Sequence, residues 1–144
     1  THHSGQPIVQ LKTPGGNCLA PNTSLLTLLT ADLQGKSCTT ASSQRFQIIP
    51  EADGSMRLVM QHNGSLVQGS ALQLAGLKIT SGGHNGLTLQ HWRLEDLGNG
   101  FTLLRNRASN LCVELTPDLL LGNKATQQSC SSAKTNQLFR VTPI

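Results

Sequence analysis

Short apolar runs alternate with polar residues along the whole chain. Ile8-Val9-Gln10-Leu11, Met56-Arg57-Leu58-Val59 and Phe101-Thr102-Leu103-Leu104 open three such stretches, and Phe46-Gln47-Ile48-Ile49 closes the first. None continues with the 3.6-residue period of an amphipathic helix. Between them stand clusters that favour turns: Pro14-Gly15-Gly16-Asn17, Ala52-Asp53-Gly54-Ser55, Ser81-Gly82-Gly83-His84-Asn85-Gly86 and Leu97-Gly98-Asn99-Gly100. Runs this short, bounded by such residues, predict strands and an all-β chain. Leu33 to Cys38 reads as one of the strands. In the second stretch Leu72-Gln73-Leu74 and Leu77-Lys78-Ile79 add two further apolar pieces.

The pattern also repeats. Gln44-Arg45-Phe46, Gln90-His91-Trp92 and Gln137-Leu138-Phe139 place a glutamine two residues before a ring, at intervals of 46 and 47 residues. The chain has only four aromatic residues, and three of them hold this position. A second mark, Cys18-Leu19-Ala20, Ser65-Leu66-Val67 and Cys112-Val113-Glu114, recurs at intervals of 47. A fixed period of this length signals units that cannot bury their own apolar faces alone. We therefore expect one domain over residues 8–142, built from repeats 8–50, 56–96 and 101–142. Residues 1–7 are expected to form a flexible segment, with Thr1-His2-His3-Ser4-Gly5 read as a tag remnant.

The period-2 geometry of a strand sends the glutamine and the ring of each repeat to the same, inward face. Gln44, Gln90 and Gln137, with Phe46, Trp92 and Phe139, are thus expected to be scaffold. Their amides are expected to satisfy loop backbone that would otherwise be buried unpaired.

Four cysteines allow three pairings. The repeat selects Cys18 with Cys38 and Cys112 with Cys130, because the middle repeat lacks both members at once. There Ser65 stands in for the first cysteine, and Gly83 or His84 for the second. Each bridge closes a short loop and contributes on the order of 3 kcal/mol in the chain-entropy description. Two bridges imply an oxidising compartment, hence a secreted, extracellular protein. A zinc site is disfavoured, since neither Cys-x-x-Cys nor His-x-x-x-His occurs.

Composition narrows the function further. Charged residues make up 12% of the chain and the net charge is +4, with the basic residues scattered. Nucleic-acid binding would need them clustered. No apolar run approaches the ~20 residues of a membrane helix. No cofactor is implied. Nucleophile–base sets are not visible, and His84 and His91 read as surface histidines, so no catalytic residue is assigned and a non-enzyme is expected. Asn22-Thr23-Ser24 and Asn63-Gly64-Ser65 match the glycosylation sequon, which matters only for a eukaryotic secreted chain.

Three repeats ending in Gln-x-Trp/Phe and opening with Cys-Leu or its remnant resemble the ricin-type β-trefoil. The resemblance covers about Ile8 to Thr142. It implies twelve strands, a six-stranded barrel capped by three hairpins, and a non-catalytic module that binds carbohydrate. Sugar pockets in that family use an acidic residue two after the first cysteine, an aromatic platform near the second, and an asparagine before the glutamine. At those places the first repeat has Ala20 and Ser43, the second Val67 and Leu89, and neither pair suits a sugar. The third has Glu114 and Asn136, with Gln128 where the ring would stand; Lys36 stands there in the first. Glu114, Gln128 and Asn136 are therefore the candidate ligand-binding residues, and binding without a platform is expected to be weak.

Gln44-Arg45-Phe46-Gln47-Ile48-Ile49-Pro50 followed by Asp53-Gly54 is also similar to a run in the trefoil binding subunits of the cytolethal distending toxin. That similarity implies binding to a host-cell surface and attachment to a larger toxin or enzyme chain. The leucine clusters Leu25–Leu29 and Leu119–Leu121 would serve such contacts if exposed. The expected partner is a glycan or glycoprotein on a cell surface. The alternative is a trefoil given to protein–protein contact, as a toxin-complex subunit or a protease inhibitor, with its sugar sites lost.

Overall fold

In a computed structural model, residues 7–22, 30–118 and 122–144 are described. They form twelve strands, four from each third of the chain. The first four are β1 (Ile8–Lys12), β2 (Asn17–Pro21), β3 (Ala31–Ser37) and β4 (Phe46–Pro50). The next are β5 (Met56–Met60), β6 (Leu66–Gln68), β7 (Thr80–Gly82) and β8 (Trp92–Asp96). The last are β9 (Thr102–Asn106), β10 (Cys112–Asp118), β11 (Gly122–Gln128) and β12 (Arg140–Pro143). Among the described residues the helical content is three short 3-10 turns, Ser42–Gln44, Thr88–Gln90 and Thr135–Gln137. No helix among the described residues is long and apolar enough to cross a membrane. The leucine clusters Leu25–Leu29 and Leu119–Leu121, the Asn22 sequon's Thr23 and Ser24, and residues 1–6 lie outside the described residues.

Six strands close on themselves. β1 pairs with β4, β4 with β5, β5 with β8, β8 with β9, and β12 with β1, while a bridge from Thr102 to Phe139 links β9 to the start of β12. The remaining strands form the hairpins β2–β3, β6–β7 and β10–β11. These meet one another through β3–β7, β3–β11 and a bridge between Lys78 and Thr126. Closure leaves the barrel without a free edge to recruit another chain.

The interior shows why the sequence repeats. Phe46, Trp92 and Phe139 are all fully buried, and Leu11, Leu58 and Leu104 lie with them. Leu19, Val67 and Val113 come from the hairpins, as do Leu33, Ile79 and Ala125, whose backbones join through Leu33 N–H to Ile79 O and Ile79 N–H to Ala125 O. Each layer takes one side chain from each repeat, so no repeat encloses a core without the other two. Trp92 also donates its Nε1–H to the Val67 carbonyl at 2.9 Å.

Both bridges form as expected, Cys18–Cys38 and Cys112–Cys130, with Cα separations of 5.1 and 5.0 Å. The middle repeat, however, is shifted by one residue from the sequence alignment. Leu66 pairs with Gly82 as Cys112 pairs with Gln128 and Cys18 with Lys36. Leu66, not Ser65, therefore occupies the cysteine position, and His84 takes the place of the second cysteine. Val67 is the core residue, and Gln68, not Val67, matches Glu114. The reason is physical: a one-residue slip would turn the core side chain outward, so burial of Val67 overrides residue likeness.

Candidate functional site

Each recurring glutamine is a clamp on the loop that precedes it. In the third repeat Gln137 Oε1 accepts from Ser131 N–H at 2.8 Å, and its Nε2 donates to Ser129 O at 2.8 Å. Gln90 does the same to Asn85 N–H and Gly83 O, and Gln44 to Thr39 N–H and Ser37 O. All three are buried, and each pairs a donor and an acceptor that would otherwise be lost to water. The repeats differ in the third partner. Gln137 Nε2 also reaches Glu114 Oε1 at 3.0 Å, Gln90 reaches Gln68 Oε1 at 3.0 Å, and Ala20 at the matching place in the first repeat has nothing to offer.

The three candidate residues of the third repeat have different surroundings. Glu114 is buried, 7% exposed, and its Oε1 accepts from both Gln137 and Lys134 Nζ, the latter at 3.3 Å. Gln128, half-buried on β11, donates to Thr126 Oγ1 at 3.1 Å. Asn136 alone lines a cleft, of about 490 Å³, that opens where the first and third repeats meet. Glu114 is not among the residues lining that cleft, and its carboxylate holds Lys134, which is, and Gln137.

Three segments wall that cleft. The β1–β2 turn supplies Thr13, Pro14 and Asn17, the β10–β11 hairpin supplies Pro117 and Asn123, and the loop before β12 supplies Lys134, Thr135 and Asn136. In that last loop Ser131 and Gln137 are six positions apart, against five for Thr39 and Gln44 and for Asn85 and Gln90. The extra residue thus falls in the loop that builds the cleft. Close approach of the neighbouring hairpin fixes the far wall. At Gly35 on β3 a Cβ would sit 2.7 Å from Leu115 Cδ1 and 3.4 Å from the Asn123 Cβ, so glycine is needed there. A repeat-by-repeat alignment misses Thr13, Pro14 and Asn17, because the cleft lies between repeats and not inside one.

Charged side chains elsewhere pair locally. Glu51 lies 2.7 Å from Arg57 Nε and 3.6 Å from His91 Nε2, and Arg107 Nη2 is 2.9 Å from Asp53 Oδ2. The Asp53 carboxyl is held below the usual carboxylate range, chiefly by the Ser55 hydroxyl and then by the Ser55 N–H, with Arg107 and His91 adding attraction. His84 is exposed and His91 half-buried. Among the described residues no group of three or more His, Cys, Asp or Glu side chains is placed to hold a metal ion.

No protein-family model matches the sequence, and no curated protein matches it either. Solved structures do. ThreeFoil, a designed protein of threefold symmetry, superposes with a TM-score of 0.85 at 23% identity, over 95% of this chain and 99% of that one. This chain is a β-trefoil. The trefoil also matches the cytolethal distending toxin of Haemophilus ducreyi, with a TM-score of 0.77 and 14% identity over 99% of this chain and 87% of that one. A third match is the Polyporus squamosus lectin, solved bound to the epitope Neu5Aca2-6Galb1-4GlcNAc. Its TM-score is 0.76 at 15% identity over 96% of this trefoil, which spans about half, 49%, of the lectin chain. Other matched chains are longer still, and the trefoil covers only 31% and 17% of two of them.

Proposed function

We propose that this trefoil is a non-catalytic module that binds carbohydrate on a cell surface through the cleft between its first and third repeats. We further propose that it is the targeting part of a larger secreted protein such as a toxin. One observation carries the reading: a cleft of about 490 Å³ lined by amides and hydroxyls beside two prolines. That volume falls within the range of small-ligand sites. A saccharide presents hydroxyls that both donate and accept, and Asn17, Asn123 and Asn136 carry amides that do the same. Thr13 and Thr135 add hydroxyls, and Pro14 and Pro117 offer apolar surface to the C–H face of a sugar ring.

Within this reading Asn136 contacts the sugar and Lys134 donates to a hydroxyl from the cleft wall. Glu114 acts as a positioning residue, holding the Lys134 ammonium, and Gln128 stays with Thr126 at the margin. No aromatic ring lines the cleft. Affinity for a monosaccharide is therefore expected in the millimolar range, roughly −4 kcal/mol. The two disulfides support an extracellular setting. The matches to a lectin and a toxin support the class of function.

A glycan array followed by calorimetry on Asn136→Ala tests it. Binding should be lost while the melting temperature stays put. Tight binding that survives the substitution would place the site elsewhere. A specific observation favours protein contact as the second reading. Leu72 and Leu74 are 59% and 57% exposed on a loop whose carbonyls both accept from buried Gln127 Nε2, at 2.8 and 3.0 Å. Apolar side chains held out on an anchored backbone suit a toxin-complex subunit or a protease inhibitor.

A further inference from the structure

On the outer wall of the barrel, Arg93 of β8 stands directly opposite Arg105 of β9. Like charges facing each other across an antiparallel pair are destabilising. Pseudo-threefold symmetry shows that the fold does not require them. The matching pair between β4 and β5 is Gln47 opposite Val59, which carries no charge. The matching pair between β12 and β1 is Arg140 opposite Lys12, and there the Arg140 guanidinium lies over the Phe101 ring at 4.8 Å. Arg93 has neither remedy. Its side chain is exposed and makes no hydrogen bond or ion pair among the described residues.

Arg93 opens onto a polar recess of about 440 Å³, shared with Gln73, Glu95, Arg105, Arg107 and Asn110. Three guanidiniums face one carboxylate. Glu95 is fully engaged by Arg105, through Nε at 2.6 Å and Nη2 at 3.1 Å. Arg105 Nη1 is turned aside to the Asn110 carbonyl at 3.2 Å, and Asn110 is the one described non-glycine residue with positive φ, 63°. Asp53 meets Arg107 through Nη2 at 2.9 Å. The whole Arg93 fork is left with donors and no acceptor among the described residues. The sequence gives no hint of this, because Arg93 stands twelve residues or more from its two neighbours and only the β8–β9 hairpin gathers them.

We propose that this recess is a second ligand site, for an oxyanion (a sulfate ester or a carboxylate) carried on a saccharide. Guanidinium forks match the two oxygens of such groups in a bidentate way. The amides of Gln73 and Asn110 are placed to take neighbouring hydroxyls. That the carrier is a saccharide rests on the function proposed above; the oxyanion site does not.

The test uses the whole domain with 15N-labelled arginine. Inorganic sulfate, titrated against chloride at equal ionic strength, should shift the Arg93 Nε–H resonance and not that of Arg45, whose Nε is buried. Binding is then compared for a chondroitin sulfate tetrasaccharide, a hyaluronan tetrasaccharide and neutral maltotetraose, which separate sulfate, carboxylate and bare sugar. Arg93→Ala should weaken the acidic oligosaccharides about tenfold or more, the worth of one charge-assisted hydrogen bond. Lys12→Ala, which removes the same charge from the wall elsewhere, should leave them unchanged. The melting temperature of Arg93→Ala should not fall, since a like-charge pair is relieved. Equal weakening by both variants would mean diffuse attraction to a basic surface and overturn the proposal, as would unshifted resonances in sulfate. If sulfate binds through Arg93 while no sugar depends on Asn136, the oxyanion site stands and the carbohydrate cleft falls.

Discussion

Replacing each of the three scaffold glutamines by alanine is a graded experiment that the fold has already set up. All three side chains bond one loop N–H and one loop carbonyl, and they differ only in a further partner. A buried group left without its partner costs about 1–3 kcal/mol, so the two backbone groups released in Gln44→Ala predict a loss of roughly 2–6 kcal/mol, toward the lower end where water reaches the loop. Gln90→Ala also strands the Gln68 carbonyl oxygen, a neutral bond worth about 1 kcal/mol. Gln137→Ala strands the buried carboxylate of Glu114, which keeps only Lys134, and a bond to a charged group is worth about 1.5–3 kcal/mol. The order of destabilisation should be Gln137, then Gln90, then Gln44. Urea unfolding of the four proteins, with the slope held common, would read it directly. On the melting temperature each kcal/mol should appear as roughly 3–4 °C for a domain of this size. Equal losses in all three variants, or the largest loss at Gln44, would refute the reasoning, because the third partner would then contribute nothing.

Two further predictions concern the core and its acid sensitivity. Trp92→Ala should cost about 3–5 kcal/mol, since the ring is fully buried and its Nε1–H bonds the Val67 carbonyl; an unchanged midpoint in denaturant would show the side chain to be dispensable. Asp53, with its pKa depressed by Ser55, stabilises the fold above the ordinary aspartate value, and that stabilisation is lost as pH falls through the lower folded value. The difference in melting temperature between the wild type and Asp53→Asn should therefore shrink as pH falls below about 3.9, and a gap that widens on acidification would contradict the assignment.

The parts of this molecule that were legible from sequence are those that burial repeats three times. A ring, a glutamine and a leucine recur because each core layer needs one side chain per repeat. The paired loss of cysteines from the middle repeat pointed to the observed bridges for the same reason. Legibility failed where position is set by something other than likeness. Ser65 resembles a cysteine in size, yet Leu66 holds its place because Val67 must face inward. Leu72 and Leu74 form an apolar piece of the sequence and yet are exposed, since Gln127 holds their backbone in a loop. The cleft took its walls from two repeats, which no alignment of repeats can reveal. Glu114 differs from its counterparts in sequence, and in the structure that difference is an added bond from Gln137 and one from Lys134.

The glutamine clamps have one more consequence. Each grips main-chain atoms, not side chains, at Thr39 and Ser37, Asn85 and Gly83, and Ser131 and Ser129. Main chain is common to every amino acid, so the clamp is indifferent to what the loop spells. The residues it spans are thereby uncoupled from the folding requirement, and even the length changes by one between repeats without disturbing the grip. The trefoil behaves as a chassis with three interchangeable sockets, of which the third carries the longer loop that walls the cleft.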